Sequence, residues 1–467
     1  MTDQPQTAPT HERASHPLRG LLVAQFLGAF NDNAWKLFVA LLAMRSVLLP
    51  AGTTEGAVEA VSQFRTTLTF VTFTLPLMLF SLPAGAMADR VSKRTVILAM
   101  KGVEILLMGS GTLILLLNPG GWLGPIVVLG LMGAQSALFS PAKYGILPEI
   151  LPHRQLSAGN GQLEMWTFMA IIAGTASGGL LMQVTGGHAW RAGLVLTCLA
   201  GIGFLAARDI PPLAASRTEG GMAHSMMVAW RALRSQRVLG LAVLGSTLFW
   251  GIASLLGQDI LVHAKAFLKL SDFRASSLLA VFGLGVGTGG FLAGRVSGGK
   301  VEVGLIPLGA IGLSFFTVLL CAAPPSYAVT LLLLVLTGVA SGLLVVPLNA
   351  LLQWRAPEEI RGAVIALANV FVFAGVLLGS LVVQVLSSAG LTTRQILLSG
   401  ALLTVSGTAI ALRLLPGALL RLILILLTHT LYRLKILDAA RVPEKGGALL
   451  VPNHVSFVDG LFLIASL

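Results

Sequence analysis

This sequence has little charge. Only 11% of its 467 residues are Asp, Glu, Lys or Arg, against 55% that are hydrophobic. No soluble core could absorb that much apolar surface, so a water-soluble protein is excluded and a multi-span membrane protein is implied. Cysteine is nearly absent. Cys198 and Cys321 each lie in an apolar run, which excludes a disulfide framework and makes both packing residues. The first 17 residues hold no apolar stretch ahead of a cleavage site, so no signal peptide is expected. Dense Lys/Arg clusters are missing too. The formal net charge of +12 is spread between apolar runs, which argues against a nucleic-acid partner and for topology and lipid headgroups. No metal site is expected, and transport would need no cofactor.

What is present is a succession of apolar runs about 20 residues long, the length that crosses a bilayer core. Twelve are expected, at 18–44, 64–88, 94–117, 122–140, 160–184, 188–206, 238–258, 276–296, 303–321, 328–348, 363–388 and 394–414. Gly is abundant at 53 residues, as where membrane helices pack closely. Lys and Arg concentrate on one side, with Arg90, Lys93, Arg94, Lys143 and Arg234 against Arg45, Arg65 and Arg191 on the other. That excess places the N-terminus and the C-terminal segment in the cytoplasm.

The chain repeats itself. Gly85-Ala-Met-Ala-Asp89-Arg90-Val91-Ser92 returns as Gly290-Phe-Leu-Ala-Gly294-Arg295-Val296-Ser297. Both joins fall between the second and third spans of a six-span half, and Pro141-Ala142-Lys143 has a counterpart in Pro347-Leu348-Asn349. Two parallel six-helix repeats indicate a duplicated transporter. The expected organisation is a polar tail (1–17), a six-helix bundle (18–206), a cytoplasmic loop (207–237), a second bundle (238–415) and a C-terminal segment (416–467). Gly85-x-x-x-Asp89-Arg90-x-x-Lys93-Arg94 resembles the signature loop of the major facilitator superfamily. The resemblance implies an all-α fold of twelve transmembrane helices in two pseudo-symmetric halves. It also implies a conformational latch made by Gly85, Asp89, Arg90, Lys93 and Arg94. The second copy has Gly294 in place of the Asp, so only the N-terminal latch is complete. The alternative is that the three cations merely set topology.

Four polar side chains stand midway along the first span: Asn31, Asp32, Asn33 and Lys36. Burying a charge there costs a few kcal/mol, so they should face a wet cavity. Asp32 and Lys36 at i and i+4 could instead neutralise each other, which leaves the asparagines unexplained. Phe30-Asn31-Asp32-Asn33-Ala34, together with Phe139-Ser140-Pro141-Ala142-Lys143-Tyr144-Gly145, resembles the bacterial lysophospholipid transporters. Those proteins move lysophospholipid, chiefly lysophosphatidylethanolamine, to the inner leaflet of the inner membrane. The resemblance makes Asn31, Asp32, Asn33, Lys36, Lys143 and Glu164 candidate substrate-binding residues. Lys143 could meet an anionic phosphodiester or be a topogenic Lys. Glu164 could meet a headgroup ammonium or pair with a Lys. Lys101 and Glu104 read as a local ion pair, Gln25 and Gln135 as cavity lining or interhelical bonds, and Asp259, His263 and Lys265 as a solvated helix end or, alternatively, an outer gate.

Past the twelfth span, 419–431 reads as a helix in the cytoplasmic interface. A turn (Val442–Gly447) and a short strand (Ala448–Val451) lead into Asn453-His454-Val455-Ser456-Phe457-Val458-Asp459. These elements resemble the start of the glycerolipid (1-acylglycerol-phosphate type) acyltransferase family. The resemblance implies that His454 is a general base, that Asp459 orients it, and that acyl-CoA or acyl-carrier protein is the acyl donor. Leu467 comes eight residues after Asp459, so this chain alone is expected to be catalytically silent.

Together these features imply a monomeric lysophospholipid flippase of the bacterial inner membrane, its partners lysophospholipid and membrane lipids. It would feed a fused acyltransferase by rocking 18–206 against 238–414. Two alternatives stay open: a proton-coupled drug or small-solute antiporter of the same fold, and a membrane-anchored acyltransferase whose membrane part does not transport.

Overall fold

The structure, a computed structural model, describes residues 18–45, 54–151, 156–212, 222–297, 301–357 and 361–431. Fifteen helices run through them. In the N-terminal part these are α1 (Arg19–Arg45), α2 (Glu55–Arg90), α3 (Lys93–Leu117), α4 (Leu123–Gly145), α5 (Leu147–Ile150), α6 (Leu156–Val184) and α7 (Trp190–Arg208). Then follow α8 (Met222–Ser235), α9 (Arg237–Ala266), α10 (Asp272–Ser297), α11 (Leu305–Ala322), α12 (Tyr327–Arg355), α13 (Arg361–Ser388), α14 (Thr393–Leu414) and α15 (Pro416–Leu431). A helix occupies each of the twelve expected spans. Eleven are long and apolar enough to cross a membrane, and α1 is not among them. At 27 residues α1 is long enough to span; its polar cluster is what lowers its hydropathy.

The chain divides into two compact units. One comprises Met1–Val228, Ala264–Ala280 and Ser380–Gly390; the other comprises Ala229–His263, Val281–Gly379 and Leu391–Leu467. In the first, α1 packs on α6, α2 on α4 and α3 on α7. Small residues allow the close approach. A Cβ on Gly178 of α6 would stand 2.7 Å from the Ala34 carbonyl oxygen and 3.0 Å from Leu37 Cβ on α1, so only Gly fits. Gly178→Leu is expected to cost about 1–3 kcal/mol through overpacking, read as a lower midpoint of thermal unfolding in detergent. In the second unit α11 packs on α12 and α14.

Two segments differ from their sequence reading. The expected loop at 207–237 contains α8, whose Ala229, Ala232 and Leu233 are buried in the core of the second unit. Their i, i+3, i+4 spacing makes one apolar helix face, and Trp230 stacks on Phe371 with ring centroids 6.0 Å apart. The helix expected at 419–431 begins earlier, at Pro416. It is seated on the second unit through Leu422, which is fully buried with Ala293 and Leu305. The turn, the strand and the His454/Asp459 motif lie outside the described residues.

Candidate functional site

At 100° per residue, Asn31 faces one side of α1, while Asp32, Asn33 and Lys36 face the other. The two sides meet different surroundings. Asn31 is fully buried. Its Nδ2 donates to Glu104 Oε1 on α3 at 2.9 Å and to the Leu196 carbonyl on α7 at 3.1 Å. Glu104 Oε2 accepts from Lys101 Nζ at 2.7 Å, both side chains at most 2% exposed. Lys101 Nζ also lies 5.4 Å from the centre of the Phe139 ring. The local Lys101–Glu104 pair therefore forms, and it ties α1 to α3. One turn on, Trp35 is fully buried, with ring carbons 2.8 and 2.9 Å from where a Gly111 Cβ would be. This face of α1 is a buried seam, and Asn31 belongs to it.

Asp32, Asn33 and Lys36 are half-buried on the side of α2 and α4. Ser136 Oγ of α4 donates to Asp32 Oδ2 at 2.5 Å. Asn33 Nδ2 donates to the Ala29 carbonyl at 2.8 Å, which turns its Oδ1 to accept from Lys36 Nζ at 2.9 Å. The Lys36 ammonium stands 5.7 Å from the Phe70 ring centre and 5.1 Å from that of Phe73, both on α2. Among the described residues no ion pair joins Asp32 to Lys36. The two charges act on each other across one helical turn, but each is held by a neutral partner, Asp32 by Ser136 and Lys36 by Asn33. The result is a partly accessible carboxylate, amide and ammonium within one helical turn, suited to an amphiphile's polar end.

Lys143 is buried in the last turn of α4, its Nζ 4.4 Å from the Tyr144 ring centre. The side chains of Glu164, Gly85, Asp89 and Arg90 fall outside those described, although all four positions are helical. Lys93 pairs with Glu149 of α5. Arg94 donates to the carbonyls of Ile210 (2.6 Å) and Arg208 (3.3 Å), capping α7. Glu149 had no signal in the sequence beyond its charge. If the Lys93–Glu149 contact acts as a latch, Lys93→Glu slows transport severalfold and the added Glu149→Lys restores it; an unrescued double variant would assign Lys93 another role. Gln25 Nε2 bonds Thr167 Oγ1 at 2.9 Å and Gln135 Nε2 bonds the Met100 carbonyl at 3.1 Å, so both make interhelical bonds.

The solvated helix end expected around Asp259, His263 and Lys265 is corrected at Asp259, while His263 and Lys265 are half-buried. Asp259 is fully buried, and His263 Nδ1 is 3.0 Å from Thr393 Oγ1. Lys265 Nζ donates to Asp272 Oδ1 at 2.8 Å, and Arg45 meets the other Asp272 oxygen, the carboxylate being 2% exposed.

The family model of the Major Facilitator Superfamily matches residues 21–380. The lysophospholipid transporter LplT of Yersinia pestis (strain Pestoides F) is 31% identical over 362 residues, covering 76% of this chain and 83% of its own length. LplT of Yersinia pseudotuberculosis serotype O:3 (strain YPIII) matches to the same extent. Among solved structures, the nucleoside transporter NupG is similar with a TM-score of 0.62 at 14% identity, over 84% of this chain and 98% of that one. A bacterial homolog of the human lysosomal transporter Spinster, inward-facing and unoccupied, gives 0.59 at 13% identity, over 85% and 96%. At such identities these likenesses speak for the fold alone.

Proposed function

The chain belongs to the Major Facilitator Superfamily, and on that premise we propose that it is a lysophospholipid flippase. It moves lysophosphatidylethanolamine to the cytoplasmic leaflet of the inner membrane, with its N-terminus and C-terminal segment in the cytoplasm. The observation that carries this reading is the 31% identity to lysophospholipid transporters across 76% of the chain. It is supported by the half-buried Asp32, Asn33 and Lys36, a combination of charges that suits a zwitterionic headgroup. Lys143 and Glu164 are further candidates for headgroup contact. Cycling of this face between the two leaflets carries the headgroup, while the acyl chain stays among aliphatic side chains.

The sequence from His454 to Asp459 adds a fate for the cargo. A flippase joined to a glycerolipid acyltransferase delivers lysolipid where the second acyl chain can be restored, with acyl-CoA or acyl-carrier protein as donor. His454 is the base that takes the glycerol hydroxyl proton, and Asp459 orients it.

The test is uptake of radiolabelled lysophosphatidylethanolamine into spheroplasts of a strain without its own lysophospholipid transporter, carrying this chain or empty vector. The reading expects chain-dependent uptake that persists when the pH gradient is collapsed. Cationic-drug transport that requires the gradient, without lysolipid uptake, would make the chain an antiporter.

A further inference from the structure

We propose that Phe70 and Phe73 form, with Lys36, a subsite for the phosphodiester of the cargo's headgroup. The two rings serve as the platform that presents the Lys36 ammonium. This rests on the reading of the chain as a lysophospholipid carrier.

The geometry sets Lys36 apart from three other lysines in the same unit. Lys93 meets Glu149, Lys101 meets Glu104, and Lys265 meets Asp272. Each of those cations is neutralised by a carboxylate. Lys36 is held by an uncharged amide oxygen, Asn33 Oδ1, and by the faces of two rings. An aromatic face attracts a cation through its quadrupole and so steadies the ammonium without cancelling its charge. An ammonium has three N–H donors. The bond to Asn33 uses one of them, and the rings accept no strong hydrogen bond.

Phe70 and Phe73 are three residues apart on α2, so they form neighbouring parts of one helix face. Both are half-buried, like Lys36 itself. Asp32, one turn earlier on α1, has its Oδ2 engaged by Ser136, which draws that oxygen toward α4. What remains at Lys36 is a positive charge with donors to spare in a low-dielectric setting. That is a match for a singly charged phosphodiester. Asp32 acts on Lys36 from one turn away without forming an ion pair with it; a carboxylate in direct contact would have removed the match, and two rings preserve it. Phe70 and Phe73 are therefore positioning residues, acting on the phosphate through Lys36.

The experiment uses the full chain in proteoliposomes, with Phe73 replaced by Leu, by Tyr, and by mono-, di- and trifluorophenylalanine. Fluorine withdraws ring electron density while nearly keeping ring size, so it weakens the platform without emptying the space. Flux of lysophosphatidylethanolamine is compared with that of a monoacylglycerol of the same acyl chain, which lacks the phosphate. The expected result is a KM for the phospholipid that climbs with each fluorine and rises about tenfold in Phe73→Leu. Phe73→Tyr stays near the unsubstituted protein, and kcat and thermal stability hold. Lys36→Met loses the preference for the phosphate-bearing lipid and Lys36→Arg keeps it.

A flat fluorine series overturns the proposal, because a ring that only fills space would not register the substitution. Equal KM shifts for phospholipid and monoacylglycerol also overturn it, placing the rings against the acyl chain and leaving the carrier reading intact. Absence of lysophospholipid flux in the unsubstituted protein removes the carrier reading and the subsite together.

Discussion

Spheroplasts carrying Asp32→Ala are expected to take up lysophospholipid about a hundredfold more slowly than those carrying the unsubstituted chain, the size of losing a charged hydrogen-bonding partner. The amount of protein in the membrane should not change. Asp32 is half-buried in the middle of α1, where its Oδ2 accepts from Ser136. Holding a carboxylate there is costly, so removing it relieves the fold while depriving the headgroup of its ammonium partner. Thermal stability in detergent should be equal or higher, which separates loss of transport from loss of structure. Asp32→Asn refines the point: it keeps the acceptor for Ser136 and discards the charge. If charge is what the cargo needs, Asn behaves like Ala. Uptake at the normal rate in Asp32→Ala would take this residue out of the site.

The opposite pattern is expected on the other side of α1, where Asn31 meets Glu104 of α3. Glu104→Ala should destabilise the protein by about 3–5 kcal/mol, because it strands a buried ammonium on Lys101 and half the bonding of the Asn31 amide. The expected signs are a marked fall in the thermal midpoint and poor accumulation in the membrane. Removing both ions at once, as Lys101→Met with Glu104→Leu, should cost much less, since no unpaired charge is then left in the seam. Asn31 keeps its second bond, to the Leu196 carbonyl. A Glu104→Ala protein as stable as the parent would mean that the seam is wet. Neighbouring residues of one helix thus divide into a structural face and a functional face, told apart by whether stability or transport fails.

That division marks how far the sequence could be read. The twelve spans and the repeat were legible because bilayer thickness imposes a length and duplication imposes a period. The polar residues of α1 stood out because four in one apolar run are costly. Their assignment to two sides did not, since helical angle says which residues share a face but not what that face meets. Asn31 shares the polar cluster in sequence with Asp32, yet its amide is bonded to α3 and α7. Ser136, Phe70 and Phe73 carried no signal, because serine and phenylalanine are ordinary residues in membrane helices. Glu149 looked like any loop acid until folding set it beside Lys93. The burial of Asp259 and Asp272 was hidden for a related reason: span limits drawn from hydropathy cannot show which helix ends are overlapped by their neighbours. The face of α8 could have been seen in the spacing of Ala229, Ala232 and Leu233, but the surrounding arginines made the segment read as a loop.

The most direct test of the account is an experimental structure of the protein with lysophosphatidylethanolamine bound. Glycerophospho-headgroup density is expected against the α2/α4-facing side of α1. The phosphate should lie within hydrogen-bonding distance of Lys36 Nζ and the ammonium beside Asp32. A headgroup bound elsewhere, with Asp32, Asn33 and Lys36 keeping only their present contacts to Ser136, Ala29, Phe70 and Phe73, would contradict it.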